Sequence, residues 1–270
     1  MTLFFERLDG RLAYDDSYGK GEPVLMLPGM ADLRSEYRFL APELVKKGYR
    51  VITVDLRGQG ESSASWPEYT VSAVGQDILS LIQHLKISPV HIIATSFSPA
   101  PAVWLAIEHP ETVKSLVLIS AFLRNEKLSL GRRLSLAILL HGPWKISAWL
   151  TYFKSLYPTK KPNDFDEYLD RLKDNLKEKD RFEAAMALGS SSKETVENHL
   201  NKVKKPTLVI VGTKDPDWSD PKAEAQLIAD KLSAKLLVVE GAGHYPQTEM
   251  PEKVTPKILE FLKTNSQPIN

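Results

Sequence analysis

The 270-residue chain contains no cysteine. Disulfides, thiolate catalysis and sulfur-ligated metals are excluded on that ground alone. A surplus of one charge sign is also missing: 35 Lys and Arg stand against 34 Asp and Glu, a formal net charge of +1. Nucleic acids and anionic membranes are held by clustered basic surface, so neither is an expected partner. Long hydrophobic runs are lacking too. The longest nearly uncharged one, LSLAILLHG at 134–142, falls far short of the ~20 residues that cross a bilayer. The N-terminus, MTLFFERLDG, has no basic segment ahead of a long apolar core, so no secretory signal is expected and a cytoplasmic protein is. What is present, 43% apolar and 26% charged residues, suits a globular chain with one large core and room for an insertion.

The pattern along the chain alternates. FFERLDGRLAYDDSYG (4–19) reads as two short strands flanking a tight turn at Asp9-Gly10. PVLMLPG (23–29) is a continuous apolar run, as expected of a strand covered on both faces. SEYRFLAPELVKKG (35–48) has helical spacing and stops at Gly48. YRVITVDLRG (49–58) is strand-like, and Val71, Val74, Ile78, Leu81 and Leu85 share a helix face. VHIIATS (90–96), a helix from Pro99 to His109, and VKSLVLIS (113–120) repeat the rhythm. Apolar strands alternating with amphipathic helices predict an α/β fold: a mostly parallel, doubly wound sheet built from βαβ units. From about Phe122 to Val203 no strand-like run occurs, only helical pattern and charge. The rhythm then resumes with PTLVIVGTKD (206–215), a helix after Ser219, AKLLVVEGAGH (234–244) and a last helix to about Lys263.

Ligands of such sheets bind beyond the carboxyl ends of the strands. Five ends carry polar residues: LPGMAD, DLRGQGES, ATSFS, GTKDPD and GAGHYP. A serine hydroxyl becomes a useful nucleophile only beside an imidazole that takes its proton, itself oriented by a carboxylate. The chain offers Ser96, Asp215 and His244, in that order, each just after an apolar strand. A second serine, Ser98, lies two residues on.

HIIATSFSPAPAVWLAIEHPETVKSLVLIS, VDLRGQGES and GAGHYPQTEMPE together resemble the α/β-hydrolase superfamily over nearly the whole chain. The resemblance implies an α/β-hydrolase core over 1–121 and 204–270, with 122–203 inserted as a helical cap. It implies a catalytic Ser96, His244 and Asp215, preferred over Asp217 and Asp220, and an oxyanion hole made by the backbone N–H groups of Met30 and Phe97. It also implies a small-molecule ester substrate and no cofactor or metal. Asp55 and Arg57 are expected to brace a loop. The alternative acid position of the family, after the sixth strand, holds Ser120. Two features depart from the pattern: Ala94 and Ser98 replace the elbow glycines of Gly-x-Ser-x-Gly, and Pro28 stands where many members have His. The aromatic group Trp144, Trp149, Tyr152, Phe153 and Tyr157 is expected to supply the cap's apolar underside, and MALGSSS (186–192) to face the site. His84, His91, His109, His141 and His199 have no metal-like spacing. Other triad chemistries (perhydrolysis, lactone or amide opening, carbon–carbon hydrolysis) and a ligand-sensing role stay open.

Overall fold

The structure, a computed structural model, describes residues 1–125, 138 and 140–266. Most of the LSLAILLHG run and the last four residues of the chain lie outside the described residues. An eight-stranded sheet runs in the order β1 (Leu3–Arg7), β2 (Gly10–Asp16), β4 (Arg50–Val54), β3 (Pro23–Leu27), β5 (Val90–Thr95), β6 (Val113–Ile119), β7 (Thr207–Gly212) and β8 (Lys235–Val239). β2 pairs antiparallel with β1 and β4, and every other pairing is parallel.

The continuous apolar runs follow from two-sided burial. In β3, Leu25 and Leu27 join one core, while Val24 and Met26 join the other. β6 divides likewise, with Leu116 and Leu118 on one side and Val117 and Ile119 opposite. The first core is closed by α2 (Val71–Leu85), α3 (Pro99–Glu108) and, later in the chain, α8 (Pro221–Leu232); the second is closed by α1 (Leu40–Lys46) and α10 (Pro251–Thr264). Each fully buried Leu or Ile contributes about 1.5–3 kcal/mol to that arrangement.

Two sequence expectations are adjusted. The first hairpin turns at Leu8-Asp9, because Arg7 pairs with Gly10 itself. The helix expected over 35–48 is split into a 3-10 turn, Arg34–Tyr37, followed by α1. Pro42 accounts for the break. It has no N–H for the Arg38 carbonyl, and its ring would strike that carbonyl, so the helix restarts with Pro42 in its first turn.

Between β6 and β7 lie α4 (Lys145–Ser155), α5 (Phe165–Lys177), α6 (Arg181–Ser190) and α7 (Glu194–Glu197). α5 buries Phe165, Tyr168, Leu169, Leu172 and Leu176, leaving most of the charges of DRLKDNLKEKDR in solvent. A third core joins Trp149, Phe153, Tyr157, Tyr168 and Phe182 to Ala31 and Tyr245, so these helices pack on loops at the carboxyl ends of the sheet.

Candidate active site

β5 ends at Thr95, and Ser96 then adopts φ +62°. That left-handed conformation costs a residue with a side chain about 1–2 kcal/mol. The neighbouring strand end holds it in place. Ser96 N–H donates to the Ile119 carbonyl at 2.9 Å, and Phe122 N–H donates to the Ser96 carbonyl at 3.0 Å. The turn forms without either glycine, with Ala94 and Ser98 fully buried beside it. Ser98 is more than a small residue: its hydroxyl donates to the Pro28 carbonyl and ties the start of α3 to the 28–30 segment. Ser96 is half-buried, whereas Ser98 is committed to an internal hydrogen bond.

The 28–30 segment runs directly over Ser96. A Cβ at Gly29 would lie 3.3 Å from Ser96 Cβ and 3.2 Å from the Tyr245 hydroxyl, so a side chain there would crowd Ser96 by a few tenths of an ångström. The Met30 thioether reaches α6, where a side chain at Gly189 would overlap its sulfur. Gly189 of MALGSSS thus packs against the Met30 side chain, next to Gly29.

His244 lies in the loop after β8 and is 1% exposed. Gly243 makes that loop feasible, since a Cβ there would lie 2.3 Å from the Leu156 carbonyl oxygen. His244 N–H donates to the same carbonyl at 2.9 Å, and the Ser120 hydroxyl donates to the His244 carbonyl at 2.7 Å. Around the imidazole stand Phe122 and Trp218, with ring centroids 6.0 and 6.1 Å away, and Tyr245, edge-on at 5.1 Å. Nδ1 lies 2.8 Å from Asp215 Oδ2 and 3.2 Å from Asp217 Oδ2. Nε2 is thereby the nitrogen left for chemistry. Burial pulls the imidazole pKa down, but the two carboxylates outweigh it and raise the value to about 9. Ligand atoms of Asp215, Asp217 and His244 lie within 4.8 Å of one another, and the imidazole–carboxylate contacts account for that closeness without an ion.

The sequence model of the alpha/beta hydrolase fold family matches residues 22–251. The chain belongs to this family. It is 24% identical to a 3-oxoadipate enol-lactonase of Acinetobacter baylyi, over 80% of this chain and 79% of that protein. It is 26% identical to a 2-hydroxy-6-oxononadienedioate/2-hydroxy-6-oxononatrienedioate hydrolase of Cupriavidus pinatubonensis, over 93% and 90%. An esterase from Exiguobacterium antarcticum shares the fold, with a TM-score of 0.84 at 23% identity over 97% of this chain and all of that one.

In this alpha/beta hydrolase, Asp55 and Arg57 brace loops as expected. Asp55 accepts from the Arg34 and Glu61 N–H groups, and Arg57 pairs with Asp77 at 2.7 Å while donating to the Glu68 carbonyl. Trp149, Phe153 and Tyr157 are buried in the third core, so much of the aromatic group serves internal packing; Trp144 and Tyr152 are exposed. No described helix is long and apolar enough to cross a membrane.

Sequence reasoning missed a buried polar hub behind the site. Glu36, 1% exposed, accepts from Gly29 N–H at 2.8 Å and from Gln247 Nε2 at 2.8 Å. Tyr37 donates to the Leu27 carbonyl at 2.7 Å and bonds Thr95 Oγ1 at 2.9 Å. The segment over Ser96, the residue before Ser96 and the helix after His244 therefore share one network. Burial and the nearby Asp32 carboxylate raise the Glu36 pKa to about 8. In EYRFLAPEL nothing separates Glu36 from a solvent-facing acid such as Glu43; a partner 211 residues away reveals its place. Glu36→Gln should flatten the fall of stability with rising pH, because the native carboxyl binds its proton more tightly than the unfolded one. At pH ~9 the variant should melt a few degrees above wild type. Equal melting temperatures of variant and wild type from pH 5 to 9 would contradict this reading.

Proposed function

We propose that this hydrolase cleaves small, fairly apolar carboxylic esters through a Ser96–His244–Asp215 triad, with residues 122–203 acting as a lid on a core of 1–121 and 204–270. The observation that carries the reading is Ser96 at positive φ beneath the Gly29 loop, with a His–Asp pair beyond the carboxyl ends of β7 and β8 on the same side of the sheet. Ser96 Oγ attacks the ester carbonyl carbon as its proton passes to His244 Nε2. The resulting oxyanion accepts hydrogen bonds from the N–H groups of Met30 and Phe97, each worth about 3–4 kcal/mol in such sites. The carbon–oxygen bond to the alcohol breaks as Nε2 returns the proton to the departing oxygen. Water then attacks the acyl-Ser96 carbonyl, giving its proton to Nε2. Release of the acid restores Ser96 Oγ–H. Asp215 holds the Nδ1–H tautomer and stabilises the imidazolium throughout. No cofactor takes part.

Phe122 and Trp218, whose rings stand around the His244 imidazole, favour an apolar acyl or alcohol group. Similarity to an enol-lactonase supports a second reading, a lactone substrate. A lactone is a cyclic ester, so the same steps apply with the alcohol still attached to the acyl chain. Initial rates on p-nitrophenyl esters from acetyl to dodecanoyl, beside a lactone series, test both. Short esters should exceed dodecanoyl by at least about tenfold in kcat/KM, the discrimination that several methylenes give when they no longer fit. Negligible turnover of every ester and lactone by folded protein would overturn the reading.

A further inference from the structure

Among the described residues, α4 of the helical segment reaches the loop of Asp215 and Asp217 through Tyr152. Tyr152 on α4 donates its hydroxyl to Asp217 Oδ1 at 2.6 Å. The other oxygen of that carboxylate, Oδ2, lies 3.2 Å from His244 Nδ1, and Asp217 N–H donates to Asp215 Oδ1 at 3.1 Å. Among the described residues, Asp217 thus touches the cap, Asp215 and the imidazole. Asp215 makes the shorter contact with Nδ1, at 2.8 Å against 3.2 Å, and so fixes the tautomer. A second carboxylate at that distance adds its charge to the same nitrogen.

We propose that Asp217 is a second, positioning carboxylate of the triad, held against His244 by Tyr152, so that the seating of the cap sets how strongly the imidazole holds its proton. The proposal rests on the triad reading above. Its logic is electrostatic: an anion 3–4 Å from an imidazolium, shielded from water, favours the charged form. Among the described residues, the other titratable groups near the imidazole are Asp215 from the same loop, Glu36 from the 3-10 turn and Tyr245 from its own loop. None of these is carried by α4. With Tyr152 engaged, His244 is a stronger base that gives up its proton more slowly to a leaving alcohol. With Tyr152 withdrawn, Asp217 swings from Nδ1 and the imidazole becomes neutral at lower pH. Asp217 is also a reserve acceptor for Nδ1–H when Asp215 is lost.

The test titrates the His244 imidazole by nitrogen-15 NMR in the full chain, with its signal assigned by His244→Gln. The same variants are then followed for kcat/KM against pH on p-nitrophenyl acetate. Asp217→Asn should lower the His244 midpoint by at least about half a pH unit, equivalent to at least threefold in the neutral fraction on the acid limb. Tyr152→Phe should move it in the same direction by a smaller step. Asp215→Asn should retain at least about tenfold more kcat/KM than Asp215→Asn/Asp217→Asn, because only the double variant lacks a carboxylate for Nδ1–H. Midpoints unchanged in Asp217→Asn and Tyr152→Phe, with the single and double variants equally slow, would overturn the proposal. The NMR midpoint needs no turnover. A wild type that hydrolyses nothing yet shows the shifts would therefore count against the esterase reading and not against the Asp217 link.

Discussion

Ser96→Ala should lower kcat/KM on short-chain esters by about a thousandfold or more, and His244→Ala should do the same. Members of a cooperating triad lose nearly all of its contribution when one is removed. Ser98→Ala is the discriminating control. Its hydroxyl lies two residues away but is bound to the Pro28 carbonyl, so it should keep activity within about tenfold. The lost bond leaves a buried carbonyl unpaired and should cost about 1–3 kcal/mol of stability. Ser96→Gly separates the two roles of the elbow. It removes the proposed nucleophile, and it also removes the steric cost of φ +62°. The glycine variant should therefore be inactive and no less stable than Ser96→Ala, with up to about 1–2 kcal/mol of relief. Equal losses of activity in Ser96→Ala and Ser98→Ala would contradict the assignment of the nucleophile.

Activity and stability should move in opposite directions as pH rises from about 6.5 to 9. The base form of His244 is neutral, and its pKa is raised to about 9 by Asp215 and Asp217 against the pull of burial. Below that value kcat/KM should climb roughly tenfold per pH unit, because in the proposed triad only the neutral fraction accepts the Ser96 proton. The stability contribution has the other sign. A histidine whose folded pKa lies above its unfolded one stabilises the native state fully below about 6.5. That stabilisation is lost as pH rises through about 9. Glu36, with a folded pKa of about 8 against an unfolded value of 4.5, adds a fall of the same sign between those two values. Melting curves and pH–rate profiles over pH 5–10 check both trends. A rate plateau reached already at pH 7 would contradict the electrostatics of the His244 pocket.

Much of this was legible in the sequence because period and position agree. Ser96, Asp215 and His244 each follow an apolar run, and in a parallel sheet those runs end on one side of the molecule. The strands of the sheet were legible for the same reason: residues buried on both faces leave continuous apolar segments. What was not legible depends on contacts between distant segments. Glu36 lies in a short stretch whose helical spacing suggests a solvated face. Its burial comes from Gln247 and Gly29, brought in by the sheet and by α9 (Pro246–Glu249). Asp217 reads as a rival to Asp215 for one role. The structure brings both carboxylates to Nδ1, with Tyr152 arriving from 65 residues away. The aromatic group of α4 and its flanks carried no signal separating Trp149 and Phe153, which are packed inside, from Tyr152, which reaches the acid loop. Helical period alone does not say which neighbour a face will meet.

The most direct test of the central claim is to treat the folded protein with a fluorophosphonate and locate the adduct by mass spectrometry of its peptides. A single adduct on Ser96, absent in Ser96→Ala and slowed about a thousandfold or more in His244→Ala, is the predicted result. An adduct on Ser98 or elsewhere, or labelling that persists in Ser96→Ala, would contradict it.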